Sequence, residues 1–105
     1  MPSSDAIPVA IVAYDGVSLL DLSGPLEALR VASTHPNHVG ASLIYACSVH
    51  SAHGGPIASA DGVRILTEPI TALDDHAIDT LIVPGACNLD DVRRDRELID
   101  WIGRA

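Results

Sequence analysis

Two short blocks of this sequence hold the residue types that catalysis or selective binding draws on. In the first, Asp15-Gly16 is followed by Leu19-Leu20-Asp21-Leu22-Ser23-Gly24-Pro25, which sets one carboxylate, Asp21, among leucines. A carboxylate in apolar surroundings is a candidate to hold a proton for acid/base work. The plainer reading is that Asp21 caps a helix. In the second block, Pro84-Gly85-Ala86-Cys87-Asn88, successive backbone amides can form an anion-binding nest, and the Cys87 thiol is a candidate nucleophile facing Asp21. The alternative is a tight turn carrying a small residue, since a single Cys without a positioned His or a helix N-terminus has nothing to activate it.

The histidines invite a metal reading through His35-x-x-His38 and His50-x-x-His53, with Cys47 nearby. Neither pair has the helical i, i+4 spacing of a zincin or the paired cysteines of a zinc finger, and both fall where loops are expected, so no metal is expected. Asp90 to Glu97 is a mixed-charge run that reads as a solvated loop leading into a first helical turn. No G-x-G-x-x-G, Walker A or G-x-S-x-G pattern occurs, which removes motif support for nucleotide binding, for serine hydrolysis and for a bound cofactor.

The elements that must position these blocks follow from the apolar pattern. Pro8 to Tyr14 is a nearly continuous apolar run closed by Asp15-Gly16, the pattern of a strand buried on both faces and followed by a turn. Gly24-Pro25-Leu26-Glu27 reads as a helix start, with Leu22, Leu26 and Leu29 on one face and an end near Ser33-Thr34. Ala41 to Val49 is a second strand, and two strands flanking one helix predict a right-handed parallel βαβ unit. Gly54-Gly55-Pro56 and Asp61-Gly62 bracket a β-hairpin excursion. A short helix is expected across Leu73 to Ala77, a buried strand at Thr80 to Val83, and a final helix capped by Asp95 with Leu98, Ile99 and Ile102 on one side.

Composition limits the partners. The chain has 105 residues, 48% hydrophobic, with 14 Asp+Glu against 6 Lys+Arg, every one of them Arg, for a formal charge of -8. With a mean hydropathy of +0.28, it is expected to bury a core and not to be disordered overall. No stretch approaches the roughly 20 apolar residues of a membrane helix, and residues 1–5 lack the basic, apolar opening of a signal peptide, so a cytoplasmic location without membrane contact is expected. An acidic chain without a basic stripe is not expected to bind DNA by itself. Two cysteines, Cys47 and Cys87, do not make a disulfide framework. With 3% aromatics, the core must come from Ala, Val, Ile and Leu, which suits a parallel α/β sheet.

The order of these signals resembles a known superfamily. Val9 to Glu27, with its Leu20-Asp21-Leu22-Ser23-Gly24-Pro25 core, is similar to the opening of the DJ-1/PfpI superfamily. Gly54-Gly55-Pro56, Asp61-Gly62-Val63, Asp79 to Gly85 and Asp95 to Trp101 follow in register, so the resemblance spans residues 8–105. It implies an α/β parallel-sheet sandwich of the flavodoxin-like, class I glutamine amidotransferase-like kind, preceded by a disordered N-terminus over residues 1–7. The branch it looks most like contains isonitrile hydratases and the ligand-sensing N-terminal domains of AraC-type transcription regulators.

Carried across, Asp21 matches the acid that faces the family's catalytic Cys, while Gly85 and Ala86 match a Pro-Gly-Gly loop that supplies an oxyanion amide. The second glycine of that loop is Ala86 here. The family's next strand and nucleophile elbow are expected to lie beyond Ala105, so the chain is expected to be the N-terminal part of the domain and not an enzyme by itself. The resemblance leans toward the sensor domain of an AraC-type regulator, with Asp21, Gly24, Gly85, Ala86 and Cys87 lining a pocket for a small-molecule effector. Homodimerisation is expected, and DNA contact only through a C-terminal helix-turn-helix region. The alternative is part of an isonitrile-hydratase-like or amidase-like enzyme.

Overall fold

The computed structural model describes residues 6–34, 44–73, 78–86 and 95–104. Its centre is β1 (Ile7–Val12), which pairs in parallel with β2 (Tyr45–Ser51) on one side and with β5 (Thr80–Ile82) on the other. A strand hydrogen-bonded along both edges and covered on both faces has no use for polar side chains, and Val9, Ala10, Ile11 and Val12 are correspondingly no more than 2% exposed. β1 begins one residue ahead of the apolar run read from the sequence and ends at Val12, because Ala13 and Tyr14 already turn toward the loop. Ala13 still donates to the His50 carbonyl at 2.6 Å, which continues the β1/β2 edge.

The sheet has the order β3-β4-β2-β1-β5. β3 (Gly55–Ala58) and β4 (Arg64–Pro69) form the antiparallel hairpin, with Gly55 opposite Thr67 and Ala58 opposite Arg64. The hairpin is less of an excursion than its turn signals suggest, since β4 joins the main sheet parallel to β2, pairing His50 with Glu68 and Ser51 with Pro69. Its tip is closed by Ser59 donating to the Val63 carbonyl at 2.8 Å and by Gly62 at φ 84°, a conformation in which a side chain would be strained.

Helix α1 spans Leu19–Thr34, so it begins well before the start that Gly24-Pro25 signals. Leu22 donates to the Ser18 carbonyl at 3.1 Å, which makes Ser18 the residue at the cap position and puts Asp21 in the first turn, where the helix dipole favours a carboxylate. The expectation of an Asp21 cap is thereby corrected. Pro25 lies inside the helix, where its missing N–H costs one intrahelical bond, and the buried Leu22 with Leu26 behind it holds that stretch against the core. At the far end Ser33 Oγ accepts from the Tyr45 amide at 3.0 Å, which ties α1 to the start of β2.

Of the short helix expected over Leu73 to Ala77, residues 74–77 lie outside the described part; Leu73 ends a single 3-10 turn at Ile70–Leu73. Helix α2 spans Arg96–Arg104 and is capped as its sequence predicts, with Leu98 N–H donating to Asp95 Oδ1 at 3.2 Å. Its buried side consists of Leu98 and Trp101, not Ile99, which is 38% exposed. The core gathers Ile11, Val12, Val17, Leu22, Leu98 and Trp101, so the chain's single tryptophan seats α2. Among the described residues no helix is long and apolar enough to cross a membrane.

Candidate functional site

The loops after β1 and β5 meet at the carboxyl ends of two adjacent parallel strands, the place where open α/β sheets bind ligands. Two main-chain contacts and one side-chain hydrogen bond join them. Ser18 donates to the Gly85 carbonyl at 2.9 Å, Val17 and Ala86 form an antiparallel bridge, and the Tyr14 hydroxyl donates to the buried Pro84 carbonyl at 2.5 Å. Gly16, at φ 90°, lets the chain reverse between Tyr14 and Val17 and donates to the Ala58 carbonyl at 2.8 Å. Asp15 Oδ1 accepts from the Ala58 amide at 2.9 Å, so the hairpin is fastened to the same loop.

Onto this frame the first turn of α1 brings Asp21 against Gly85. A Cβ built on Gly85 would stand 2.8 Å from Asp21 Oδ2, closer than real Cβ atoms come, so the carboxylate occupies the space a side chain would need. Residue 85 must lack a side chain for this approach. Asp21 itself is exposed, not enclosed by its neighbouring leucines, of which Leu20 is 75% exposed. Burial, and then the negative charge of Asp21, push the Tyr14 phenol above its ordinary range. Tyr14 therefore keeps its proton and spends it on Pro84.

The residues singled out in the sequence are brought together in part. Asp21, Gly85 and Ala86 are brought together where the two loops meet, with Ala86 half-buried against the core. Gly24 sits within α1, where an added Cβ would meet nothing within 4 Å, so no close approach requires a glycine there. Cys87 lies outside the described residues. Cys47 is half-buried in β2, and burial pushes its thiol up, which leaves little thiolate near neutral pH.

One histidine, His50, departs from its loop reading, while His53 lies in an exposed bend as expected. His35 and His38 lie outside the described residues, but His50 is in β2 and 3% exposed, with Nδ1 3.1 Å from the Pro69 oxygen and Nε2 2.7 Å from Ser48 Oγ. His53 is exposed and pairs with Glu97 at 3.2 Å, so the two rings do not converge. Among the described residues no group of three metal-ligating side chains is found. The polar groups that sequence reasoning missed are Tyr14, Asp15 and Ser18. A polar-tipped aromatic at the end of an apolar run, directly before Asp-Gly, was the available signal.

No family model matches the sequence. A Streptomyces lividans protein described as an uncharacterized protein in the cpoL 5' region is 39% identical over 77 residues, which cover 73% of this chain and 50% of that protein. Among solved structures, an AraC family transcriptional regulator from Pseudomonas putida superposes with a TM-score of 0.65 at 19% identity, over 93% of this chain and 59% of the regulator. A DJ-1 superfamily protein from Salmonella typhimurium superposes with a TM-score of 0.68 at 13% identity, over 93% of this chain and 49% of that one. The chain thus spans about half the length of the relatives it matches. At such identities the structural likeness carries the fold and leaves the activity open. Its parallel β1-α1-β2 unit, the hairpin whose second strand joins the sheet and the glycine loop facing the first helix are those of a DJ-1/PfpI-like fold.

Proposed function

We propose that the chain belongs to the ligand-sensing domain of an AraC-type transcription regulator, and that the paired loops carrying Asp21 and Gly85 contribute to the binding of a small-molecule effector. The observation that carries this reading is the Asp21 carboxylate held against Gly85 by cross-linked loops, together with the exposure of that carboxylate. An exposed acceptor on a rigid frame is suited to binding a donor group of a ligand. The Tyr14 proton, spent on the Pro84 carbonyl, is not offered to a substrate. The likeness to a regulator over 93% of the chain supports the same assignment. Such a regulator works in the cytoplasm as a homodimer and contacts DNA through a helix-turn-helix region outside these residues, which accords with the formal charge of -8 here.

The test is made on the whole protein that contains this chain, by measuring operator binding with and without candidate effectors. Asp21→Asn is expected to abolish the effector response while leaving effector-free DNA affinity unchanged. A protein that binds no DNA, or an Asp21→Asn variant with a normal response, overturns the reading. A second reading, an isonitrile-hydratase-like or amidase-like enzyme, draws on the same Asp21 and Gly85 approach. Hydration of an isonitrile by the whole protein, lost in Asp21→Asn, would establish it instead.

A further inference from the structure

Side chains alternate along a strand, so Ala46, Ser48 and His50 share one face of β2. His50 is buried there with both ring nitrogens engaged, Nδ1 at 3.1 Å from the Pro69 carbonyl oxygen and Nε2 at 2.7 Å from Ser48 Oγ. A carbonyl oxygen can only accept, so the ring proton sits on Nδ1, and Nε2 is left to accept the Ser48 hydroxyl proton. Ser48 has then used its single donor and keeps only acceptor capacity.

A cavity of about 380 Å³ opens over this face. Its apolar wall includes Val9, Ala10, Ala46, Leu73 and Ile78, and its polar side chains among the described residues are Ser48, His50 and Glu68. Glu68 is exposed, pairs in register with His50 on the neighbouring strand, and lines the same cavity. None of these three offers a free donor: the His50 N–H goes to Pro69, the Ser48 O–H goes to His50, and the carboxylate has none to give. Among the described residues, the polar side chains at this end of the cavity therefore present acceptors only, the Glu68 carboxylate among them. Its volume falls in the roughly 300–1,000 Å³ range of small-molecule sites.

We propose that this cavity binds a small organic cation, a primary ammonium on a compact apolar body. The ammonium donates to Ser48 Oγ and to the Glu68 carboxylate, and the body packs on Ala10, Ala46 and Leu73. A neutral alcohol of the same shape fills the space but forgoes the charge-assisted bond, and a carboxylate is repelled by Glu68. Asp21 and Gly85 do not line this cavity, so the inference stands independently of the regulator reading.

The experiment is an amide and imidazole NMR titration of the chain with 2-phenylethylammonium, and in parallel with 2-phenylethanol and 3-phenylpropionate. Saturable shifts at Ser48, His50 and Glu68 are expected with the cation at millimolar concentration, with affinity about tenfold lower for the alcohol and no binding of the anion. Glu68→Gln, at an exposed position that leaves the fold intact, should weaken the cation about tenfold and leave the alcohol unchanged, while Ser48→Ala weakens both. Asp21→Asn should change nothing at these residues. Absence of saturable shifts up to about 10 mM, equal binding of all three probes, or an unaltered Glu68→Gln variant overturns the proposal. Loss of cation binding in Asp21→Asn also overturns it, by placing the cation at the loops after β1 and β5 and leaving the regulator reading untouched.

Discussion

Replacing Tyr14 by Phe isolates the one side-chain hydrogen bond among the contacts that join the two functional loops. Tyr14 is 3% exposed, and its ring packs in the core, so the substitution keeps the apolar contacts and removes one oxygen. That oxygen donates to the Pro84 carbonyl of the neighbouring loop at 2.5 Å, and Pro84 is itself buried. A buried acceptor deprived of its donor costs about 1–3 kcal/mol, more than the roughly 1 kcal/mol of an average bond, because the carbonyl has left water and meets nothing in return. For a domain of this size each kcal/mol lowers Tm by roughly 4–8 °C. The assay is urea unfolding of Tyr14→Phe against the unaltered chain, with Tyr45→Phe on half-buried β2 as the control for loss of a phenol. Hydrogen exchange adds a local reading: the Ser18 amide, which donates to the Gly85 carbonyl at 2.9 Å, should lose protection in Tyr14→Phe alone. A loss below about 0.5 kcal/mol with an unchanged Ser18 amide would refute the reasoning, since it would mean that the Pro84 carbonyl is satisfied without Tyr14.

Three further outcomes follow from the same geometry. Gly54→Ala combines a φ of 74° with a Cβ placed 2.9 Å from the ring carbon and backbone nitrogen of Pro69, and should destabilise by about 2–4 kcal/mol in urea unfolding, against about 1–2 kcal/mol for Gly62→Ala, which has the strained φ but open space. Because burial and then Asp21 raise the Tyr14 phenol above the 10.0 of a free tyrosine, the unfolded chain ionises first; the stability this group contributes is complete below about pH 10 and falls as pH rises through the folded value, which stability measurements on Tyr14 and Tyr14→Phe chains across that range will show. Gly85→Ala pushes the exposed end of Asp21 aside, so it should cost less than about 1 kcal/mol yet lower the Tyr14 titration midpoint, read from phenolate absorbance, by the share that Asp21 contributes.

Where a signal was local, the sequence was legible. The apolar run before Asp15-Gly16 marks β1 because a strand buried on both faces tolerates nothing else, and Asp95 marks the start of α2 because the capping bond to Leu98 spans only one turn. The beginning of α1 was misread for a related reason: Gly24-Pro25 is a strong start signal, but the burial of Leu22 and the main-chain bond from Leu22 to Ser18 extend the helix through it. Tertiary packing overrode a local preference there.

The chemistry-bearing residue types and the α/β class were therefore set by order and periodicity, and the resemblance to the DJ-1/PfpI superfamily was carried by the Leu20-Asp21-Leu22-Ser23-Gly24-Pro25 block and the motifs after it. Which groups meet was decided only in three dimensions. The contact of Asp21 with Gly85 depends on β5 docking beside β1, and the burial of His50 depends on β4 joining β2 in parallel instead of standing apart as a free hairpin. No residue near His50 in the chain announces that neighbour. Periodicity reports which side of an element faces inward; the partner across the sheet, and with it the surroundings of each polar group, is chosen by the packing of segments distant in sequence.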